Sequence, residues 1–298
     1  MAEKSSRDDY GKISPTAKIT AYWRSFSDIP YSKEIAEAVD AEKTAREMLG
    51  DRIAAMGLLS PSIFEVRYKS INDGLRRSGI DRIMELASGL SPRGLDIASR
   101  GGVYVGSDLP DMHAESGAVI RAIASRAGVP TANLHLQPAN VLSRRELEEA
   151  ASHFNGARFA VCNEGLMTYL DMEEKATMAG NIREILLSSR GCWITTDIQF
   201  QELRESLFAL FGPEAKKVAQ PVLKRISERT GRDITGNDFA DKAEALKFFD
   251  GLGFAVEEYP LYAGDYPLST ASILPESFRD RVVGIFSSAK AWKMAPKP

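Results

Sequence analysis

From about Asp81 onward, short β-type runs alternate with segments of helical periodicity, and no other feature of the chain constrains the fold as strongly. The β-type runs are Arg82–Leu86, Val103–Asp108, Leu134–Gln137, Phe159–Asn163, Trp193–Ile198 and Phe254–Leu261, and a seventh, Val282–Trp292, closes the chain. Between them lie helical patterns at Ala114–Arg126, Arg144–His153, Met172–Leu187, Gln201–Leu210 and Asn237–Leu252. Strands that alternate with helices predict an α/β fold, a mostly parallel, Rossmann-like sheet of seven strands with helices on both faces. No long helical pattern separates the last two runs, only a stretch rich in Gly, Pro and Ser. A right-handed crossover fits poorly there, so the closing pair is expected to be antiparallel.

The region before about Gly79 has no strand candidate. Ser32–Met56 and Ser62–Arg77 carry apolar residues at spacings of three and four, among them Ile35, Val39, Ile53 and Met56, and predict helices that form a lid over one edge of the sheet. At 298 residues the chain suits one large α/β domain or one domain with an added cap. Lys plus Arg number 38 and Asp plus Glu 41, and the net charge of −3 favours neither a nucleic acid nor a membrane surface as partner. No apolar run is long enough to span a bilayer, and the polar Met1–Ser14 stretch lacks a signal-peptide core, so a cytoplasmic location is expected. Cys162 and Cys192 lie inside apolar runs and read as buried free thiols. The histidines His113, His135 and His153 show no metal-ligand spacing, and no metal is expected.

Four strand ends carry candidate chemistry. Ile83–Leu86 runs into the small-residue turn Ala87-Ser88-Gly89, where a ligand can approach the backbone. Roughly twenty residues later, Val103–Asp108 ends in an acid that can accept both hydroxyls of an adenosine ribose. A nicotinamide dehydrogenase shows the same pair, but it also needs G-x-G-x-x-G to cradle a pyrophosphate. The loop here reads Ala87-Ser88-Gly89-Leu90-Ser91-Pro92. An adenosine ligand without a pyrophosphate, such as S-adenosylmethionine, needs no such cradle. Leu134–Gln137 breaks at Pro138, and Asn140-Val141 can meet an adenine ring or, equally, form an Asx turn that caps the next helix. The apolar run Phe159–Asn163 ends in Glu164-Gly165, where an acid is placed for a ligand beyond the strand end.

Taken together, Glu85-Leu86-Ala87-Ser88-Gly89, Tyr104-Val105-Gly106-Ser107-Asp108-Leu109-Pro110 and Glu164-Gly165-Leu166-Met167-Thr168-Tyr169-Leu170 resemble the leucine carboxyl methyltransferase family, which includes bacterial polyketide O-methyltransferases of the tetracenomycin type. The resemblance covers roughly Thr16 to Asp197. It implies a class I methyltransferase domain over 80–298 and an N-terminal helical lid over 1–79, built as one unit around S-adenosylmethionine. It implies that the methionine carboxylate is held by Lys18, with Arg24 as the competing choice, and by Arg67. It further implies cofactor contacts from Glu85, Ala87 and Gly89, from Asp108 and Leu109 at the ribose, from Asn140 and Val141 at the adenine, and from Glu164. The family's loop after the first strand is Gly-x-Gly-x-Asp-Thr-Arg, and this chain departs from it. The first glycine is Ala87, which fits only if its φ is negative, and the aspartate is Ser91.

Methyl transfer from a sulfonium is an in-line displacement that asks chiefly for alignment and exclusion of water. Glu164, Tyr169 and Asp197 are candidates for a base where the acceptor needs one. The expected acceptor is a small molecule methylated on oxygen. A protein C-terminal carboxylate, a catalytically silent S-adenosylmethionine-binding protein and a nicotinamide dehydrogenase are the alternatives. Oligomeric state is not encoded in any motif.

Overall fold

In the computed structural model, which describes residues 14–198, 200, 213–234 and 236–298, seven strands build one sheet. They are β1 (Arg82–Leu86), β2 (Val103–Asp108), β3 (Leu134–Pro138), β4 (Ala160–Asn163), β5 (Cys192–Thr195), β6 (Phe254–Pro260) and β7 (Lys290–Pro296). Their order is β3-β2-β1-β4-β5-β7-β6. Strands β1 to β5 pair in parallel, while β7 runs antiparallel to both β5 and β6. The chain therefore reverses its direction of travel across the sheet between β1 and β4, the switch point at which open α/β sheets leave a crevice. Leu86 pairs with Ser107 on one side and Asn163 on the other, so the carboxyl ends of β1, β2 and β4 share one rim.

Both faces of the sheet are covered, as the apolar side chains on both faces of the central strands require. Met84, Val105, Val161, Trp193 and Trp292 point to one face, against Leu147, Ile182 and Phe249. Ile83, Tyr104, Cys162 and Ile194 point to the other, against Ile71, Leu75, Leu95 and Ile123. This alternation is the two-residue period of a strand, and each large apolar side chain so buried contributes about 1.5–3 kcal/mol. Cys162 and Cys192 are buried free thiols on neighbouring strands.

The covering helices are α1 (Ser14–Arg24), α2 (Ser32–Ala38), α3 (Ala41–Leu49), α4 (Arg52–Gly57), α5 (Ser60–Ser78), α6 (Arg93–Ser99), α7 (Pro110–Ala127), α8 (Arg144–Ala151), α9 (Met172–Ser189), α10 (Pro213–Thr230), α11 (Lys242–Gly251) and α12 (Glu276–Ser288). Local chemistry sets several ends. Asp171 and Glu174 form a capping box at the start of α9. Ser143 and Asp241 cap α8 and α11 by accepting from the third helical amide. The predicted helix Gln201–Leu210 lies outside the described residues.

Three expectations are corrected. The Ser32–Met56 pattern is three helices, because Asp40 (φ 49°) and Gly50 (φ 57°) turn the chain through left-handed conformations. The seventh β-type run was placed too early. Most of Val282–Trp292 belongs to α12, whose Val282 and Phe286 stand four residues apart and pack on Val66 and Leu274; an apolar run of that length satisfies either period until its partners are known. A helix therefore does separate the last two strands, yet β7 enters the sheet antiparallel as expected. Finally, the lid is not confined to the N-terminal region. Ile19 and Trp23 of α1 pack with Met48 and Leu49 of α3 and with Val222 of α10, so a segment after β5 completes the cover.

Candidate active site

A cavity of about 810 Å³ sits beyond the carboxyl ends of β1, β2 and β4 and beneath α1. Its wall includes Glu85, Ala87, Gly89, Asp108, Leu109, Asn140, Val141, Glu164 and Tyr169, brought together from four strand ends, with Arg67 from α5 and Thr16, Thr20 and Arg24 from α1. Thr16, Thr20 and Arg24 are spaced by four and so share one helical face. Lys18 lies on another face, and its ammonium pairs with Glu115 of α7 at 2.6 Å. Of the two N-terminal cations considered, the structure thus places Arg24 in the cavity wall, while Lys18 is not in that wall and is paired with Glu115, a residue at its margin.

At the β2 end, Asp108 accepts from the Gly89 amide at 2.7 Å through one oxygen and from the Leu109 amide at 2.8 Å through the other. Gly89 has φ +50°, and a Cβ there would sit 3.6 Å from the Ala17 side chain, so the turn and α1 are in near contact. Desolvation at the cavity floor pushes the Asp108 carboxyl up to about 6, against the lowering effect of the two amides. Neighbouring Ala87 has φ 49°, not the negative value expected of an alanine. An alanine here thus holds a left-handed backbone that a glycine would adopt more readily. Left-handed φ costs an L-residue about 1–2 kcal/mol, while a glycine loses about 0.4–1 kcal/mol through its freer unfolded chain. Ala87→Gly should therefore leave stability unchanged or raise it by up to about 1.6 kcal/mol; a lowered urea midpoint would contradict the strained conformation.

At the β3 end, Asn140 Oδ1 accepts from the Leu142 amide at 3.0 Å and the Asn140 amide donates to Glu146 at 2.8 Å. The Asx turn foreseen as the alternative is thus present, and it sets the Ala139–Leu142 backbone in the cavity wall.

At the β4 end, Glu164 is surrounded by guanidinium groups: Arg24 Nη2 at 2.8 Å, Arg93 Nη2 at 3.7 Å and Arg67 Nε at 3.8 Å. Burial alone would raise its pKa, but Arg24, then Arg67 and Arg93, outweigh that and hold the carboxyl below the ordinary glutamate range. A carboxylate so stabilised is a weak proton acceptor, which speaks against the base role considered for Glu164. Tyr169 donates its hydroxyl to Thr16 Oγ1 at 3.1 Å, and burial raises its pKa, so unlike Glu164 it stays protonated; it tethers the β4 loop to α1.

Below the cavity floor lies a second layer that the strand-end reading did not reach. Arg93, fully buried, donates to Glu85 at 3.1 Å, to the Tyr68 carbonyl at 3.3 Å and to Asn72, and stacks 4.2 Å from the Tyr68 ring centroid. Tyr104 donates to the second oxygen of Glu85 at 2.6 Å. Both oxygens of Glu85 therefore each have a donor within the protein, while the residue still borders the cavity. Asp197, considered as a base, lies behind the wall rather than in it, with its side chain only 2% exposed.

No family model and no curated protein matches this chain. Among solved structures, it is similar to a DUF574 family protein of Streptomyces avermitilis, with a TM-score of 0.55 at 15% identity, over 95% of this chain and 97% of that one. It is also similar to a candidate methyltransferase of Thermobifida fusca, with a TM-score of 0.52 at 13% identity, over 94% of each chain. At such identities the likeness is one of fold, and the chain has the Rossmann-like methyltransferase fold, with its seven-stranded, mostly parallel sheet.

Proposed function

We propose that this protein is an S-adenosylmethionine-dependent methyltransferase acting on an oxygen of a small molecule. The observation that carries the reading is the distribution of polar groups along one cavity. Asp108 stands at one end, where a ribose would present two hydroxyls, beside the Asn140–Val141 backbone that an adenine edge would meet. At the other end, the buried Glu164 carboxylate is ion-paired with Arg24 at 2.8 Å, and the Nε atoms of Arg24 and Arg67 have no hydrogen-bond partner among the described residues. Buried polar atoms without partners are costly, and a mixed set of cations and an anion suits the zwitterionic end of an amino acid. The turn between the two ends has no pyrophosphate cradle, and α6 begins only at Arg93 after Pro92.

A sulfonium cofactor supplies an already activated methyl group, so the protein's part is to orient both reactants and keep water out. Asp108 would hold the ribose, while Arg67 and Arg24 would meet the methionine carboxylate and Glu164 its ammonium. Ile19, Phe64, Leu166 and Ile226 give the cavity an apolar section for an acceptor, and α1 closes over it. The family resemblance to polyketide O-methyltransferases supports oxygen as the methylated atom, and a carboxylate acceptor would need no base.

Titration calorimetry tests the cofactor. S-adenosylhomocysteine should bind with micromolar affinity, about 8 kcal/mol, and NAD should give no heat; NAD binding without S-adenosylhomocysteine binding would overturn the proposal. Because α1 roofs the cavity, hydrogen exchange should slow at residues 16–31 and around Arg67 when S-adenosylhomocysteine is added. Protection restricted to the loops after Leu86, Asp108 and Gln137 would mean that the lid does not respond to the cofactor.

A further inference from the structure

Asp197 follows β5, next to the end of β4, because Asn163 and Thr195 are paired across the two strands. Its backbone is held there by the Thr195 hydroxyl, which accepts from the Asp197 amide at 3.0 Å and donates to the Asn163 carbonyl at 3.3 Å. Its carboxylate then collects five donors. Oδ1 accepts from the Gly165 amide at 2.7 Å and Arg67 Nη2 at 3.1 Å. Oδ2 accepts from Asn163 Nδ2 at 2.7 Å, the Leu166 amide at 2.8 Å and the Met167 amide at 3.2 Å. Three successive backbone amides on one carboxylate force the chain to turn sharply after Glu164. Gly165 takes φ +77° in that turn, with the Arg67 guanidinium 3.6 Å from where a Cβ would be.

The same carboxylate thus sets two things that face the cavity: the direction of the Glu164–Leu166 loop, and the edge of Arg67 that remains free. One Nη of Arg67 is taken by Asp197, which leaves Nε directed at Glu164, 3.8 Å away. Asp197 itself is absent from the cavity wall. Its capacity as an acceptor is saturated, so it acts through its partners.

We propose that Asp197 is a positioning residue that builds the subsite for the amino-acid end of the cofactor, by orienting Arg67 and the Glu164–Gly165 turn together. The proposal rests on the reading of the cavity as an S-adenosylmethionine site. It requires that the influence of Asp197 be confined to one half of the ligand. The ribose and adenine ends are served by Asp108 and the Asn140–Val141 backbone, from strands on the far side of β1.

Two nucleosides separate the halves: S-adenosylhomocysteine, which carries the amino acid, and 5′-methylthioadenosine, which lacks it. In calorimetry on the full chain, Asp197→Asn should weaken S-adenosylhomocysteine by about tenfold or more, as expected when a charge-assisted contact is misaligned, and change 5′-methylthioadenosine by less than about threefold. In an Arg67→Ala background the same substitution should add little, because the two act on one subsite. Circular dichroism and unliganded melting curves report folding. If the amide variant does not fold, Asp197→Glu carries the same comparison, with a smaller loss of the same selectivity. Equal losses for both nucleosides, or none for either, would overturn the proposal. Wild-type protein that binds neither nucleoside would overturn the cofactor reading itself, and the proposal with it.

Discussion

Arg93→Leu should destabilise the protein by about 3–5 kcal/mol, the usual result of removing one partner of a buried ion pair. The arginine is fully buried, and its loss leaves Glu85, only 2% exposed, without its only guanidinium partner among the described residues. It also strips donors from the Tyr68 carbonyl and Asn72, which belong to α5, so the contact between the lid and the sheet should loosen with it. Urea denaturation gives the loss directly as a lowered midpoint at constant slope. Combining Arg93→Leu with Glu85→Gln removes the stranded charge and should recover a substantial part of the stability. If Arg93→Leu costs less than about 1 kcal/mol, the buried pair is not what joins α5 to β1. If the double variant is no better than the single one, the loss comes from packing on Tyr68 rather than from uncompensated charge.

Cofactor affinity should fall at acid pH through Asp108. Its carboxyl titrates near 6 in the folded protein because it is desolvated at the cavity floor, well above the ordinary range of about 4. Ribose hydroxyls donate to the ionised form, so below that pH binding must first expel a proton. The affinity for S-adenosylhomocysteine should therefore be flat above about pH 7 and about tenfold weaker by pH 5. Asp108→Asn should weaken binding by roughly ten- to a hundredfold at neutral pH and abolish the acid limb. Affinity that is equal at pH 5 and pH 7 in the wild-type protein would exclude Asp108 from the ribose contact. The unliganded fold responds in the opposite sense. A folded-state pKa above the unfolded value means that the folded protein holds the proton more tightly. The associated stability is present below about pH 4 and is lost as the pH rises through about 6, to an extent of up to about 3 kcal/mol. Asp108→Asn removes that penalty, so its unliganded melting temperature should not fall at neutral pH even as its affinity does. This follows from the desolvation of Asp108, which outweighs its two backbone donors; a solvent-facing strand end would have left stability unaffected.

The sequence by itself determined the alternation of strands and helices from Asp81, the parallel β1–β5 core and the placing of Ala87, Gly89, Asp108, Asn140 and Glu164 at strand ends. Each of these rests on a local period of two or 3.6 residues, or on a turn residue within a few positions, and such signals survive in a one-dimensional chain. What only the tertiary structure decided lies across long separations. Arg67 and Asp197 are 130 residues apart, and Arg93 and Tyr68 are 25 apart. Their meeting depends on the order in which strands enter the sheet, and a buried acid and a solvated one look alike as letters. The choice of Arg24 over Lys18 needed the orientation of α1 as a rigid body on the cavity. The helix over Glu276–Ser288 needed Val66 and Leu274 to be waiting for Val282 and Phe286, since an apolar run satisfies either period until a partner surface selects one. Ala87 keeps a left-handed backbone because the turn between β1 and the cavity is held from outside. The Ser88 amide donates to Ser107 and the Gly89 amide to Asp108, two bonds to β2 that outweigh the preference of a single alanine.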